Sequence, residues 1–132
     1  IHFTDWVVGH THLVMFGVFS MWFFGMMTYL FPRLLKRSWY SRNLCEWHYW
    51  LSLAGIVVMF LDLTLAGIFQ GYFWASLQPW EASIDGSYPF WMTRLFAGLA
   101  IIGGQIVFVV NLWQTWRLSS HAPVPQSSPV IA

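Results

Sequence analysis

The segment Trp6-Val-Val-Gly-His-Thr-His-Leu-Val-Met-Phe-Gly sets two imidazoles, His10 and His12, inside an otherwise uncharged and apolar stretch. An ionisable side chain in such a setting is costly unless it is functional or paired, so each is a candidate site residue. Their spacing restricts the chemistry. On a helix turning about 100° per residue, positions i and i+2 project about 200° apart. Two ligands on opposite faces are badly placed to share one ion and well placed to serve one metal centre each. Imidazole is an axial ligand of haem iron, so the pair reads as ligands to two haems on either side of one helix. The competing reading is structural, because an intramembrane histidine also links helices by hydrogen bonds of modest energy.

The rest of the chain must supply a membrane-embedded frame. Of its 132 residues 58% are hydrophobic, 8% are charged and 20% are aromatic. Soluble domains carry roughly 45–50% apolar residues, so this is an integral membrane protein in contact with a lipid bilayer. The net charge of +1 gives no basic footprint for nucleic acid. Cys45 is the single cysteine, which excludes an intrachain disulfide; it reads as a packed, inert thiol.

Three apolar segments exceed the roughly 20 residues that a bilayer core requires: Trp6–Phe31, Trp47–Trp74 and Phe90–Trp116. Pro32 is expected to close the first. The linker from Arg33 to Asn43 holds four of the six basic residues, and Arg117 follows the third span. The opposite side has Arg94 with Asp5, Glu81 and Asp85. The excess of Lys and Arg places the linker and the C-terminus in the cytoplasm, and the N-terminus and the loop Ala75–Pro89 outside. Trp39, Tyr40, Trp47 and Trp113 at the inner boundary, and Tyr72, Trp74, Trp80 and Trp91 at the outer one, form the expected interfacial belts. His10 and His12 then lie one to two turns below the outer surface. Residues 118–132 form a Pro/Ser-rich tail that reads as disordered.

Small residues and isolated polar groups add candidates. Gly67 and Gly71 form a G-x-x-x-G pair, and Gly9, Gly17 and Gly25 recur every eight residues. Both patterns suit close helix packing, and the second would also leave room for a flat macrocycle. Asp62 lies well inside the second span, where an acid serves either a proton route or a hydrogen bond to another helix. His48 reads as an interfacial, hydrogen-bonded residue. Arg94 either pairs with a haem propionate or anchors its helix at the interface.

The run His2-Phe-Thr-Asp-Trp-Val-Val-Gly-His-Thr-His-Leu resembles the tenth helix of the catalytic subunit I of haem–copper oxidases. That family places a histidine eight residues before a His-x-His pair, as His2, His10 and His12 stand here. Thr4-Asp5-Trp6 ahead of Gly-His-Thr-His looks most like the cbb(3)-type cytochrome c oxidases. Pro32-Arg33-Leu34, His48-Tyr49-Trp50-Leu51 and Gly67 to Gly71 fit the same pattern. The resemblance covers residues 1–117, which would be the last three helices of an all-α subunit of roughly twelve. We therefore expect one transmembrane haem-binding segment and a chain that is one piece of a larger subunit. No basic region followed by a cleavage site marks a signal peptide.

The resemblance also implies roles. His10 would be the proximal ligand of the high-spin haem iron, and His12 an axial ligand of the low-spin haem iron, both haems of b type. His2 would stand near the haem propionates, with Arg94 within reach of the same layer. Asp5 occupies a different position from the acid that follows this histidine in mitochondrial-type enzymes, so that acid's metal role does not carry over. Copper B would sit in the intact subunit on ligands outside this chain, and without them the segment alone would be inactive. The implied partners are the remainder of subunit I, membrane-anchored cytochrome c subunits, cytochrome c as electron donor, and oxygen. The implied setting is the prokaryotic plasma membrane, with reduction of oxygen to water coupled to proton pumping. Two rivals remain, a nitric oxide reductase catalytic subunit and a non-catalytic three-helix membrane subunit.

Overall fold

The computed structural model describes residues 2–118, and the tail reading falls almost wholly outside them. Three helices, each long and apolar enough to cross a membrane, make up the structure: α1 Asp5–Leu34, α2 Arg42–Ala75 and α3 Trp80–Leu118. The expected all-α membrane architecture is what forms. Short connections of residues 35–41 and 76–79 force neighbours to run antiparallel. Both α1, chiefly through its first half, and α3 pack on α2, and α1 also touches α3, through Asp5 to Trp91 and Phe24 to Phe108.

The spans come from apolar length, but their ends differ from expectation in three places. Pro32 does not close α1, which continues to Leu34. Proline removes the backbone N–H that would bond four residues back, freeing the Thr28 carbonyl. Trp39 Nε1 takes up that carbonyl at 3.1 Å. Helix α1 instead ends where Lys36 adopts φ 53° and the Arg37 N–H bonds the Pro32 carbonyl at 2.8 Å, a left-handed terminus built without glycine. Helix α2 begins at Arg42, five residues ahead of Trp47. The expected outer loop Ala75–Pro89 is mostly helix, because α3 starts at Trp80 immediately after Pro79 and carries Pro89 inside it. Asp85, Gly86, Ser87 and Pro89 suggest a loop by composition. They are held helical by packing: Ser87 is fully buried, and the Phe69 ring lies where a Gly86 side chain would stand.

A further departure lies within α1. Leu13–Ser20 is a π-helical stretch between two α-helical segments. Such i→i+5 winding is rare and tends to occur at functional sites. It begins at the residue after His12 and changes the rotational phase of everything that follows. The eight-residue glycine spacing therefore does not produce one bare face. A Cβ at Gly9 would meet Leu63 Cβ at 3.0 Å and one at Gly17 would meet Ile56 at 3.5 Å, whereas Gly25 has nothing within 4 Å. After the π stretch α1 diverges from α2, leaving a groove of about 1020 Å³ lined by Gly25, Tyr29, Trp39 and Tyr49 among others.

The α2–α3 seam carries the buried core. Met59, Leu63 and Ala97 form its apolar centre, with Val8 of α1 and Ile101 packed against it. Below this centre the seam is polar. His48 is buried, and its Nδ1 donates to the Gly104 carbonyl at 3.0 Å between the Phe24 and Phe108 rings. Gln105 Nε2 donates to Ser52 Oγ at 3.1 Å. Asn111, fully buried, accepts from the Ser41 N–H at 3.1 Å and donates to the Ser41 carbonyl at 3.0 Å. It thereby caps the start of α2 from α3. His48, expected as an interfacial, hydrogen-bonded residue, is hydrogen-bonded, but it is buried in the seam and links α2 to α3.

Candidate haem-binding site

The site is built on the first two turns of α1. Gly9 is buried, and its missing side chain lets the helix approach Leu63 of α2. With Gly9 facing α2, helical periodicity carries His10 about 100° to one side and His12 about 60° to the other. Burial follows this placement. His10 is exposed and His12 is half-buried.

Each imidazole is oriented differently. His12 Nδ1 lies 2.7 Å from the Val8 carbonyl oxygen. A carbonyl only accepts, so Nδ1 is the donor in this contact and Nε2 is the nitrogen that the neutral ring would present with its lone pair. This is the arrangement a metal-ligating histidine takes, with one ring nitrogen anchored and the other presented. The Phe16 ring, at 5.5 Å, covers its side. His10 stacks on the Trp6 indole, with centroids 5.5 Å apart and planes at 6°. The donor chemistry of both rings therefore fits haem iron. Among the described residues no three His, Cys, Asp or Glu side chains gather to hold an ion.

The other expected residues stand apart. His2 is exposed on the turn ahead of α1, with its ring 6.5 Å from that of Phe3. Arg94 is half-buried on α3 and lines a shallow depression with Trp91, Leu95 and Gly98. No hydrogen bond or ion pair among the described residues joins either of them to His10 or His12.

Sequence reasoning missed the groups that hold the site in place. Asp5, the first residue of α1, is bonded to both other helices. Its N–H donates to Gln70 Oε1 at 2.8 Å. Its Oδ2 accepts from Gln70 Nε2 at 2.8 Å and from Trp91 Nε1 at 3.0 Å. Gln70 Nε2 also donates to Ser87 Oγ at 3.1 Å. The only sequence signal was an acid at a helix start; its partners lie 65 and 86 positions away.

Asp62 is buried on α2, and its Oδ2 has no hydrogen-bond partner among the described residues. The structural hydrogen bond that was one of its two readings is thus not made by this oxygen. A buried unsatisfied polar atom costs about 1–3 kcal/mol. Asp62→Leu, of similar size, is expected to leave the thermal midpoint of the assembled subunit unchanged or higher. A lower midpoint would show that Asp62 contributes favourably to folding.

The family model for cytochrome c and quinol oxidase polypeptide I matches residues 1–100. The chain belongs to that family. It is 33% identical over 122 residues to cytochrome c oxidase subunit 1 of Rhodobacter capsulatus, a match covering 86% of this chain and 23% of the relative. It is 29% identical over 129 residues to the cbb3-type cytochrome c oxidase subunit CcoN1 of Stutzerimonas stutzeri, covering 92% and 27%. A weaker match, 24% identical over 142 residues, reaches a nitric oxide reductase polypeptide of the same organism, covering 99% and 29%. The chain spans about a quarter of the length of these relatives. Within this oxidase family, the three membrane-capable helices correspond to part of a multi-helix membrane subunit.

Proposed function

We propose that this chain is the two-haem ligand segment of a respiratory terminal oxidase of the cbb(3) type. His10 would ligate a high-spin haem b iron and His12 a low-spin haem b iron. The observation that carries the proposal is the His12 ring, its Nδ1 tied to the Val8 carbonyl at 2.7 Å and its Nε2 without a hydrogen bond among the described residues, on a helix whose other flank presents His10. When bound, the haems supply one-electron redox chemistry, the low-spin group as a relay and the high-spin group as the site of oxygen chemistry. The chain's own residues bind, orient and shield. Gly9 sets the depth of the ligand helix against α2, and Val8 fixes the His12 tautomer. His2 and Arg94 would face the propionate layer, where a guanidinium pairs well with carboxylates. Copper B, its ligands, cytochrome c and the membrane-anchored cytochrome c subunits would meet this segment in the intact enzyme, which would couple oxygen reduction to proton pumping.

The test is an optical and metal analysis of the assembled enzyme. It should contain two b-type haems, one of which binds carbon monoxide, together with copper and oxygen uptake driven by reduced cytochrome c. Non-haem iron in place of copper would instead support the nitric oxide reductase reading, which the weaker resemblance to that enzyme keeps in view. Absence of haem would support a non-catalytic subunit.

We further propose a prokaryotic plasma membrane setting in which the N-terminus and the turn at residues 76–79 face outward, and the basic turn after α1 faces the cytoplasm. Gln78 in the first turn is exposed, and Lys36 stands in the second. In a Cys45→Ser background, a membrane-impermeant thiol reagent added to intact cells should label Gln78→Cys and spare Lys36→Cys. The reverse pattern would overturn the orientation.

A further inference from the structure

We infer that Trp6, held in place by Asp5 and Gln70, is a positioning residue that sets the ring plane of His10. The inference rests on the proposal that His10 ligates a haem. At the N-terminus of α1 the first backbone N–H groups lack partners within the helix. The Asp5 N–H receives one in trans. The Gln70 amide bonds the backbone N–H and the side-chain carboxylate of the same residue, each at 2.8 Å. Only one amide orientation serves both contacts. Reversal would set its NH2 group against the N–H and its oxygen against the carboxylate. Trp91 Nε1 adds a second donor to the same Asp5 oxygen. Position and direction of the helix start are therefore fixed from α2 and α3 together.

Trp6 is the next residue, and its backbone is pinned on the α2 side as well. Gly67 lies one turn before Gln70, and any side chain there would run into the Trp6 backbone. With its backbone fixed, the Trp6 indole lies against the His10 imidazole four residues on, one helical turn away, with planes at 6° and centroids 5.5 Å apart. No hydrogen bond from His10 to the protein competes with this stack among the described residues. The ring nitrogen that would meet iron is thus oriented by an aromatic surface. His12 uses a different device, its bond to the Val8 carbonyl.

The experiment uses the assembled enzyme from the full-length subunit. It compares Trp6→Leu, Trp6→Phe and Trp91→Phe by haem content, by the iron–histidine stretching band of the reduced high-spin haem, and by carbon monoxide recombination. Trp6→Leu should keep both haems, shift the band and change the recombination rate about two- to tenfold, the worth of one aromatic pair. Trp6→Phe should restore most of the original behaviour. An unmoved band and rate in Trp6→Leu at full haem content would overturn the inference, as would a Phe variant no better than Leu. If Trp6→Leu does not assemble, Trp91→Phe decides. It removes only one donor to Asp5, so a smaller shift of the same band supports the clamp and an unmoved band overturns it. Failure of the ligand proposal itself reads out separately, as a high-spin haem that persists in His10→Ala.

Discussion

Replacing His12 with alanine in the assembled enzyme is expected to abolish the low-spin haem signal and leave the carbon monoxide-binding haem in place. His10→Ala is expected to do the reverse. On the proposed assignment these are losses of whole chromophores, because each substitution would remove the protein ligand to one iron. The asymmetry follows from the helix. His10 and His12 flank the buried Gly9 on opposite sides, so no single macrocycle can meet both rings. Reduced-minus-oxidised spectra and carbon monoxide difference spectra separate the two outcomes. If both variants lost the same haem, the two-centre reading would fail. If neither lost any, the histidines would be structural, and the Val8 bond to His12 would be a local link within α1.

Within α1, the His-x-His pair was legible as a candidate because imidazole among Trp, Val, Leu and Phe is too costly to be incidental. The three spans were legible for the same kind of reason. Apolar length is a local property, and each helix contains a window of mean hydropathy between 1.7 and 2.2. Helix ends were less so. Pro32 and Pro89 are locally valid stop signals, yet a free carbonyl at Thr28 found the Trp39 indole, and tertiary packing buried Ser83 and Ser87 around Pro89's turn. The π-helical stretch Leu13–Ser20 has no sequence signature at all. The Asp5 clamp was invisible for a third reason: a hydrogen bond between residues 65 positions apart exists only once three helices have met. The G-x-x-x-G pair was half legible. The motif says that helices come close without saying which glycine makes the approach, and here Gly67 does so while Gly71 has open space around it.

That difference yields the second large effect. Gly67→Ala is expected to prevent assembly of the haem-loaded subunit, whereas Gly71→Ala is expected to be nearly silent. A Cβ at Gly67 would fall on the Trp6 backbone nitrogen and lie 2.6 Å from its Cα. Backbone cannot rotate away as a side chain can, so α1 would have to move off α2. Overpacking of ordinary cores costs about 1–3 kcal/mol. Here relief would also break the Asp5 bonds to Gln70 and Trp91, each contributing about 0.5–1.5 kcal/mol net and more where a carboxylate accepts. The combined loss would reach several kcal/mol, comparable to the whole stability of many domains. The order of damage is also specified. Displacement of Trp6 reaches His10 first, through the stacked rings, and His12 only through tilt of the helix. A partly assembled Gly67→Ala enzyme should therefore lose the carbon monoxide-binding haem in greater proportion than the low-spin haem. Equal loss of the two would mean that the close approach at Gly67 supports folding of the whole membrane segment and has no particular bearing on the high-spin side.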